Sequence, residues 1–414
     1  MRTKSILMLA LVITVGWACQ CAFAYFGASF QGLGDLPGAD FYSQAWGVSP
    51  DGLAAVGDSH SDRSTFVKEA FRWTTDGGME GLGFLLDSFC PIYNSSAWGV
   101  SGGGSVVAGT TFRGYGAPIG LTGYYEAFRW TPSGGMQGLG CLDGILPGLY
   151  MGGSEAYAVS ADGSTIVGDS SSLSGMQAFR WREGAGMEGL GYLNGGALSE
   201  AWGVSGDGAV VVGRGKSASP VTLEAFIWTP SGGMQGLGFL GSFRGRQPLS
   251  EARAVSGDGS VVVGGSSSPL GIYAEAFRWT ESEGMQGLGF GYGYASEARG
   301  VSEEGSVVVG SIWSDFGEEA FIWDVSHGMR RLQDVLTSEY NIDLTGWTLN
   351  CATGVSSDGM TIVGYGRNPD WNAEGWIARL GEPTVIPAPG AIILGCIGTG
   401  LVGWLRRRGL VDSL

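Results

Sequence analysis

"EAFRWTPSGGMQGLG" (residues 126–140) returns almost unaltered as "EAFIWTPSGGMQGLG" (residues 224–238), and related copies start at Glu69, Gln177, Glu275, Glu319 and, degenerately as "EGWIARL", at Glu374. A second motif alternates with it: "AWGVSPDGLAAVG" at Ala45 recurs from Ala97, Ala156, Ala201, Ala252, Ala298 and Ala352. Starts of the first motif lie about 51 residues apart, a spacing within the range of propeller blades. Each unit has room for four short strands. "AWGVS" and "SVVVG" are β-rich segments flanking Asp-Gly or its stand-ins, a tight turn in which glycine supplies the positive φ. "EAFRW" and "GMQGLG" flank "TPSGG", where Pro132 and Pro230 preset the first corner of a turn.

The ends of the repeat array decide between a ring and an open solenoid. The array starts at Phe30 with "FQGLGDL", a fourth strand without its "EAFRW", and finishes with "EGWIARL", a third strand without its "GMQGLG". In a solenoid both would be exposed sheet edges, which proteins normally cap or blunt. In a ring each supplies what the other lacks. The expectation is an all-β, seven-bladed β-propeller over residues 25–381, closed by its amino-terminal strand.

Composition agrees. The 414 residues include 77 glycines without a Gly-X-Y period, and aromatics make up 11%. Collagen and a disordered glycine-rich chain are both excluded, leaving turn-dense β structure. Formal charge is −16. Leaving out the charged end residues Arg2, Lys4, Arg406, Arg407, Arg408 and Asp412, 18 basic stand against 38 acidic residues. Such a body repels nucleic acid.

Both termini read as addresses. Arg2 and Lys4 precede the apolar run Ile6 to Trp17, and Ala22-Phe23-Ala24 places small residues where a signal peptidase reads, so residues 1–24 are expected to be a signal peptide cleaved before Tyr25. With Cys19 and Cys21 leaving in that segment, Cys90, Cys141 and Cys351 remain in the body, an odd count that gives no disulfide framework. Residues 382–414 form a tail. Gly390 to Leu405 is uncharged, and its 16 residues make roughly 24 Å of helix, close to the lower limit for spanning a ~30 Å hydrocarbon core. The cluster Arg406, Arg407 and Arg408 then holds that end in the cytoplasm and the body outside.

Chemistry-bearing constellations are scarce. Two histidines, His60 and His327, lack partners at metal-ligand spacing, and no zinc, EF-hand or Cys-x-x-Cys motif occurs. "GVSGG" at Gly99 to Gly103 satisfies Gly-x-Ser-x-Gly, but Ser101 sits in a strand–hairpin–strand unit instead of the strand-to-helix turn a nucleophile elbow requires. Carboxylates are abundant, and the repeated Glu69, Glu126, Glu224, Glu275, Glu319 and Glu374 are expected to start strands. "RRLQDVLTSEYNIDLTGW" (residues 330–347) spaces Leu332, Val335 and Leu336 as a short helix.

By strand alternation the two invariant turns share one face of the disc and the variable loops the other. Recognition is usually placed on loops of a rigid scaffold. The candidate binding residues there are Tyr115, Tyr124, Tyr125, Tyr150, Arg244, Tyr292, Tyr294, Trp313 and Trp371, suited to stacking on sugars or gripping a protein. No cofactor and no catalytic or metal-binding residue is expected. An adhesion or structural role is favoured, with a polysaccharide hydrolase or lyase using loop carboxylates as the alternative.

Two family resemblances add to this. Pro387-x-Pro389 with Gly390, the apolar segment and the terminal arginines resemble the PEP-CTERM sorting signal, in its "PAPG" variant with Ala388 replacing the usual Glu. That resemblance implies exosortase as a partner, transient anchoring in the inner membrane and then release or transfer to the cell surface of an exopolysaccharide-making Gram-negative bacterium. The "EAFRW…GGMQGLG" and "GVSxDGxxVVG" copies resemble HAF-type extracellular repeats across about Phe30 to Leu380, with Glu or Gln in place of the signature His. That family is linked with exported proteins and implies no activity; a role for its His cannot carry over.

Overall fold

The computed structural model describes residues 23–385 except 39, 63, 86–93, 116–121, 143–152, 218–221, 243–244 and 271–272. It divides into two units, Ser29–Arg379 and a smaller one comprising Met1–Ala28 with Leu380–Leu414. In the smaller unit, strands Phe23–Phe26 and Glu382–Val385 pair antiparallel, and the expected cleavage point before Tyr25 falls inside the first of them. The rest of the signal-peptide segment and the tail, with Pro387, Pro389, Gly390, the segment 390–405 and Arg406, Arg407 and Arg408, lie outside the described residues. Among the described residues no helix is long and apolar enough to cross a membrane.

The larger unit is all-β, with antiparallel four-stranded meanders. Among the described residues five sheets of four strands and one of eight account for it, the eight-stranded one being two meanders joined by a single parallel bridge, Met176 to Leu198. The first meander shows the plan. Ser43–Val48 turns into Ala54–Ser61, that into Ser64–Thr74, and that into Gly78–Gly83. Each strand pairs only with its neighbours in this order. The helix Leu332–Ser338 buries Leu332, Val335 and Leu336, as their spacing predicts.

Turn chemistry accounts for the invariant polar residues. Ser49 Oγ donates to Asp51 Oδ1 at 2.6 Å and accepts from the Ala54 N–H, while Asp51 Oδ1 accepts from the Leu53 N–H. The same network recurs at Ser160/Asp162 and Ser205/Asp207. Gly52, directly after Asp51, takes φ +71, where a Cβ would also meet Thr361 Oγ1 at 2.4 Å. Only glycine fits.

The repeated Phe and Trp pack one meander on the one before it. Phe71, Phe128, Phe179, Phe226, Phe277 and Phe321 are fully buried. Phe128 and Trp130 cluster with Ala54, Val56 and Ala70 of the preceding meander, and Phe226 and Trp228 with Val167 and Ala178. Phe71 and Trp73 cluster with Val363 and Ile377. Arginines reinforce the seams: the Arg180 guanidinium lies 4.8 Å from the Trp228 ring centroid, and that of Arg379 5.9 Å from Trp73.

The segment at Phe30 joins the last meander as its fourth strand. Ser29–Gly32 pairs antiparallel with Ala373–Arg379, bringing Gly32 opposite Trp376, as Gly138 is opposite Phe128. The Gly34 N–H donates to Glu374 Oε1 at 2.9 Å, as the Gly83 N–H does to Glu69 and the Gly238 N–H to Glu224. Ser43 Oγ accepts from the Gly375 N–H and donates to the Gly34 carbonyl. Ser250 makes the same two bonds, to Ala225 and Gly238, between meanders that are contiguous in sequence.

Candidate functional site

The first strand of every meander carries a β-bulge at the same place. Register shifts fall between Ala45 and Gly47, Ala97 and Gly99, Ala156 and Ala158, Ala201 and Gly203, Ala252 and Ala254, Ala298 and Gly300, and Ala352 and Gly354. The skipped residues are Trp46, Trp98, Tyr157, Trp202, Arg253, Arg299 and Thr353. A bulge leaves its extra residue outside the ladder and re-aims the side chain. All seven line one cavity of about 680 Å³.

Close approach of the first strands makes this possible. A Cβ on Gly47 would lie 2.5 Å from the Trp98 carbonyl oxygen, and one on Gly99 2.9 Å from Ala158 Cα. Small residues after the bulge are therefore a packing requirement. At the invariant-turn end of the cavity the backbones are laced together. The N–H of Gly102 donates to Ala161, Ala161 to Gly206, Gly206 to Gly257, Glu303 to Ser357 and Ser357 to Pro50, at 2.8 to 3.0 Å. Pro50 has no N–H to continue the series, and there the Gly103 N–H donates to Asp51 Oδ2 at 2.7 Å.

The cavity wall has two halves. Trp46 and Trp98 ring centroids are 5.1 Å apart and Trp98 and Tyr157 6.3 Å, forming an aromatic arc, and Tyr365, which is not itself part of the lining, lies 5.4 Å from Trp46. Trp46 Nε1 donates to Asp58 Oδ2 at 2.8 Å, fixing the indole. Opposite runs an ion-pair ladder: Arg214 bridges Glu200 and Glu251, Arg253 bridges Glu251 and Glu297, and Arg299 ends on Glu297. Trp202 stands at the junction, with the Arg214 and Arg253 guanidiniums 4.7 and 4.1 Å from its ring centroid.

Protonation follows from this crowding. Asp169, 5% exposed, faces Glu155 across paired strands. Burial first, then the charges of Glu155 and Glu200, push its carboxyl up to about 8. Burial also raises Glu155, against the Tyr157 hydroxyl that lowers it. Tyr157 is held far above the ordinary phenol range by burial and by Asp169. At neutral pH the Glu155–Asp169 pair therefore retains a proton. Cys351 is a buried free thiol that burial pushes up to about 12, and Cys141 is free and half-buried; Cys90 lies outside the described residues.

The loop residues singled out in the sequence are dispersed by comparison. Tyr150 and Arg244 lie outside the described residues, and Tyr115 ends the strand Val107–Tyr115 opposite Thr122. Tyr124 and Tyr125 lie in the next strand, with the Phe112 ring 5.4 Å from Tyr125. Tyr292 is half exposed and its hydroxyl donates to Glu319 Oε2 at 2.8 Å; Tyr294 lies 5.3 Å from Tyr273. Trp313 pairs with Ala295 in its sheet. Trp371 is 74% exposed with φ +64, on a loop braced by Asn368. The cavity residues were missed because they sit inside the repeated motif. Their signal was the one freely varying position in "A-x-[GA]-V-S".

The repeated glutamates turn inward as structural acceptors. Glu69, Glu126, Glu275 and Glu374 are buried and Glu224 is half-buried, each accepting a glycine N–H at or just past the end of the adjacent fourth strand. His327 bonds Asp324 through Nδ1, and His60 stacks on Tyr42 at 4.5 Å.

No protein-family model matches the chain, and no curated protein matches it. Solved structures do. An oligogalacturonate lyase from Vibrio parahaemolyticus matches with a TM-score of 0.50 at 9% identity, over 87% of this chain and 96% of that one. The β-propeller domain of the Trilobed protease from Pyrococcus furiosus matches at 0.46 and 12%, over 70% and 81%. TolB from Acinetobacter baumannii matches at 0.42 and 12%, over 76% and 77%. The likeness is one of fold.

Proposed function

We propose that the chain is an exported bacterial surface or extracellular-matrix protein whose body is a seven-bladed propeller closed by its amino-terminal strand, and that it works by binding. Closure is supported by Phe71 and Trp73 packing on Val363 and Ile377, and by Ser43 and Gly34 bonding Gly375 and Glu374 as their counterparts do elsewhere. Export is supported by the amino-terminal apolar run, and surface sorting through exosortase by the "PAPG" tail and its terminal arginines.

One observation carries the binding reading: seven near-identical bulges aim side chains of four different kinds, Trp, Tyr, Arg and Thr, into one cavity. A purely structural repeat has no need of variation there. Aromatic walls and fixed polar groups suit a polysaccharide segment or a side chain of a surface protein. The full-length protein, released from its exporting cell and applied to a glycan array, should retain a defined saccharide class.

A second reading, a polysaccharide hydrolase or lyase, is favoured by Asp169 holding a proton beside Glu155, the pattern of an acid–base pair. Reducing-sugar release measured on the retained saccharide decides: binding without release supports the first reading, and release supports the second.

A further inference from the structure

The cavity's charges do not balance within themselves. In the ladder, Glu200, Glu251 and Glu297 match Arg214, Arg253 and Arg299 three for three. That leaves three carboxylates lining the cavity without a basic side chain in salt-bridge contact among the described residues: Glu303, which accepts from the Ser357 hydroxyl, and Glu155 and Asp169, which face each other across paired strands. Next to them, Trp46, Trp98 and Tyr157 present rings to the cavity with no protein cation over them among the described residues. Trp202 shows what this wall accepts, since two guanidiniums already lie on it. Buried carboxylates raise the local demand for positive charge, and an aromatic face attracts a desolvated cation. Inorganic cations want several converging ligands, and no group of three or more His, Cys, Asp or Glu side chains placed to hold a metal ion is present among the described residues. An organic ammonium on a flat, stackable body satisfies both halves at once.

Resting on the binding reading above, we propose that this cavity takes a saccharide bearing a free amino group, its ring stacked on the arc Trp46–Trp98–Tyr157 and its ammonium set against Glu155 and Asp169. The raised carboxyl of Asp169 accords with this, because an ammonium set beside it would supply the positive charge that burial and the neighbouring carboxylates call for. A neutral or N-acetylated sugar could stack but would leave the acid pair uncompensated. An acidic sugar would meet it with like charge.

The test is calorimetric titration of the full-length protein with glucosamine trisaccharide, its N-acetylated counterpart, glucose trisaccharide and a lysine-containing tripeptide. At least tenfold tighter binding of the free-amine sugar than of the other three is expected. The double variant E155Q/D169N should lose most of that preference while still binding the neutral sugar weakly. Selectivity in the unaltered protein is itself a readout, so a variant that fails to fold does not blunt the test. Equal binding of free and N-acetylated sugars, or preference for the lysine peptide, overturns the proposal; sugar binding without amine selectivity leaves the wider reading standing. Absence of binding by any ligand overturns both.

Discussion

At the residue scale, single positions were legible wherever one chemistry must repeat. Gly52 at φ +71, the Ser49–Asp51 hydrogen bond and the buried Phe226 could all be anticipated, because a tight turn or a packed strand face tolerates few alternatives. Glu224 was legible as a strand-start residue but not as the acceptor for Gly238, a contact that depends on the adjacent strand's register. Replacing Phe226 by Ala should cost about 3–5 kcal/mol in denaturant unfolding, since the side chain is fully buried and its site is walled by Val167 and Ala178 of the neighbouring meander. Asp169 makes the opposite kind of prediction. Its carboxyl is raised from 3.8 to about 8, so between those values the unfolded chain releases a proton that the folded chain keeps. Stability should therefore fall as pH rises from about 4 to 8. The groups facing it are Glu155 and Tyr157 on the paired strand, with Glu200 and Arg214 of the next meander. Thermal melts at pH 5 and pH 8 should show D169N with a flatter dependence than the native protein; an unchanged slope would remove Asp169 as its source.

At the scale of the element, the two hairpins per repeat and the helix Leu332–Ser338 followed from turn residues and spacing. The bulge did not. Its cause lies between elements: first strands so close that Gly99 abuts Ala158 Cα leave no room for a side chain, and the extra residue before it turns to the cavity. Strict alternation would have assigned Trp46, Trp98, Tyr157 and Trp202 one side or the other of a sheet, and so could not place them around a shared space. Gly99→Val should accordingly destabilise by about 1–3 kcal/mol or more, through overpacking against backbone that cannot yield. The same substitution at Gly77, where a Cβ would contact only Thr74 Oγ1 near the surface, should cost less, and comparing the two denaturation midpoints checks the point.

For the whole molecule, the account makes the repeated residues the frame and the varied ones the site. Pairing of Ser29–Gly32 with Ala373–Arg379 joins positions more than 300 apart in sequence, so deletion of residues 29–36 should expose a strand edge and remove Leu33 and Leu36 from the core. Loss of cooperative unfolding, with self-association in sedimentation, is the expected result. The loop aromatics are spread among separate contacts, whereas the bulge residues converge; reading the sequence singled out the first set and did not weigh the second. The central claim is that recognition resides in that convergence. Glycan-array binding of the native protein against W46A/W98A, with melting curves to establish that both are folded, tests it most directly. Binding should fall at least tenfold in the double variant; equal binding by two folded proteins would contradict the assignment of the site to the cavity.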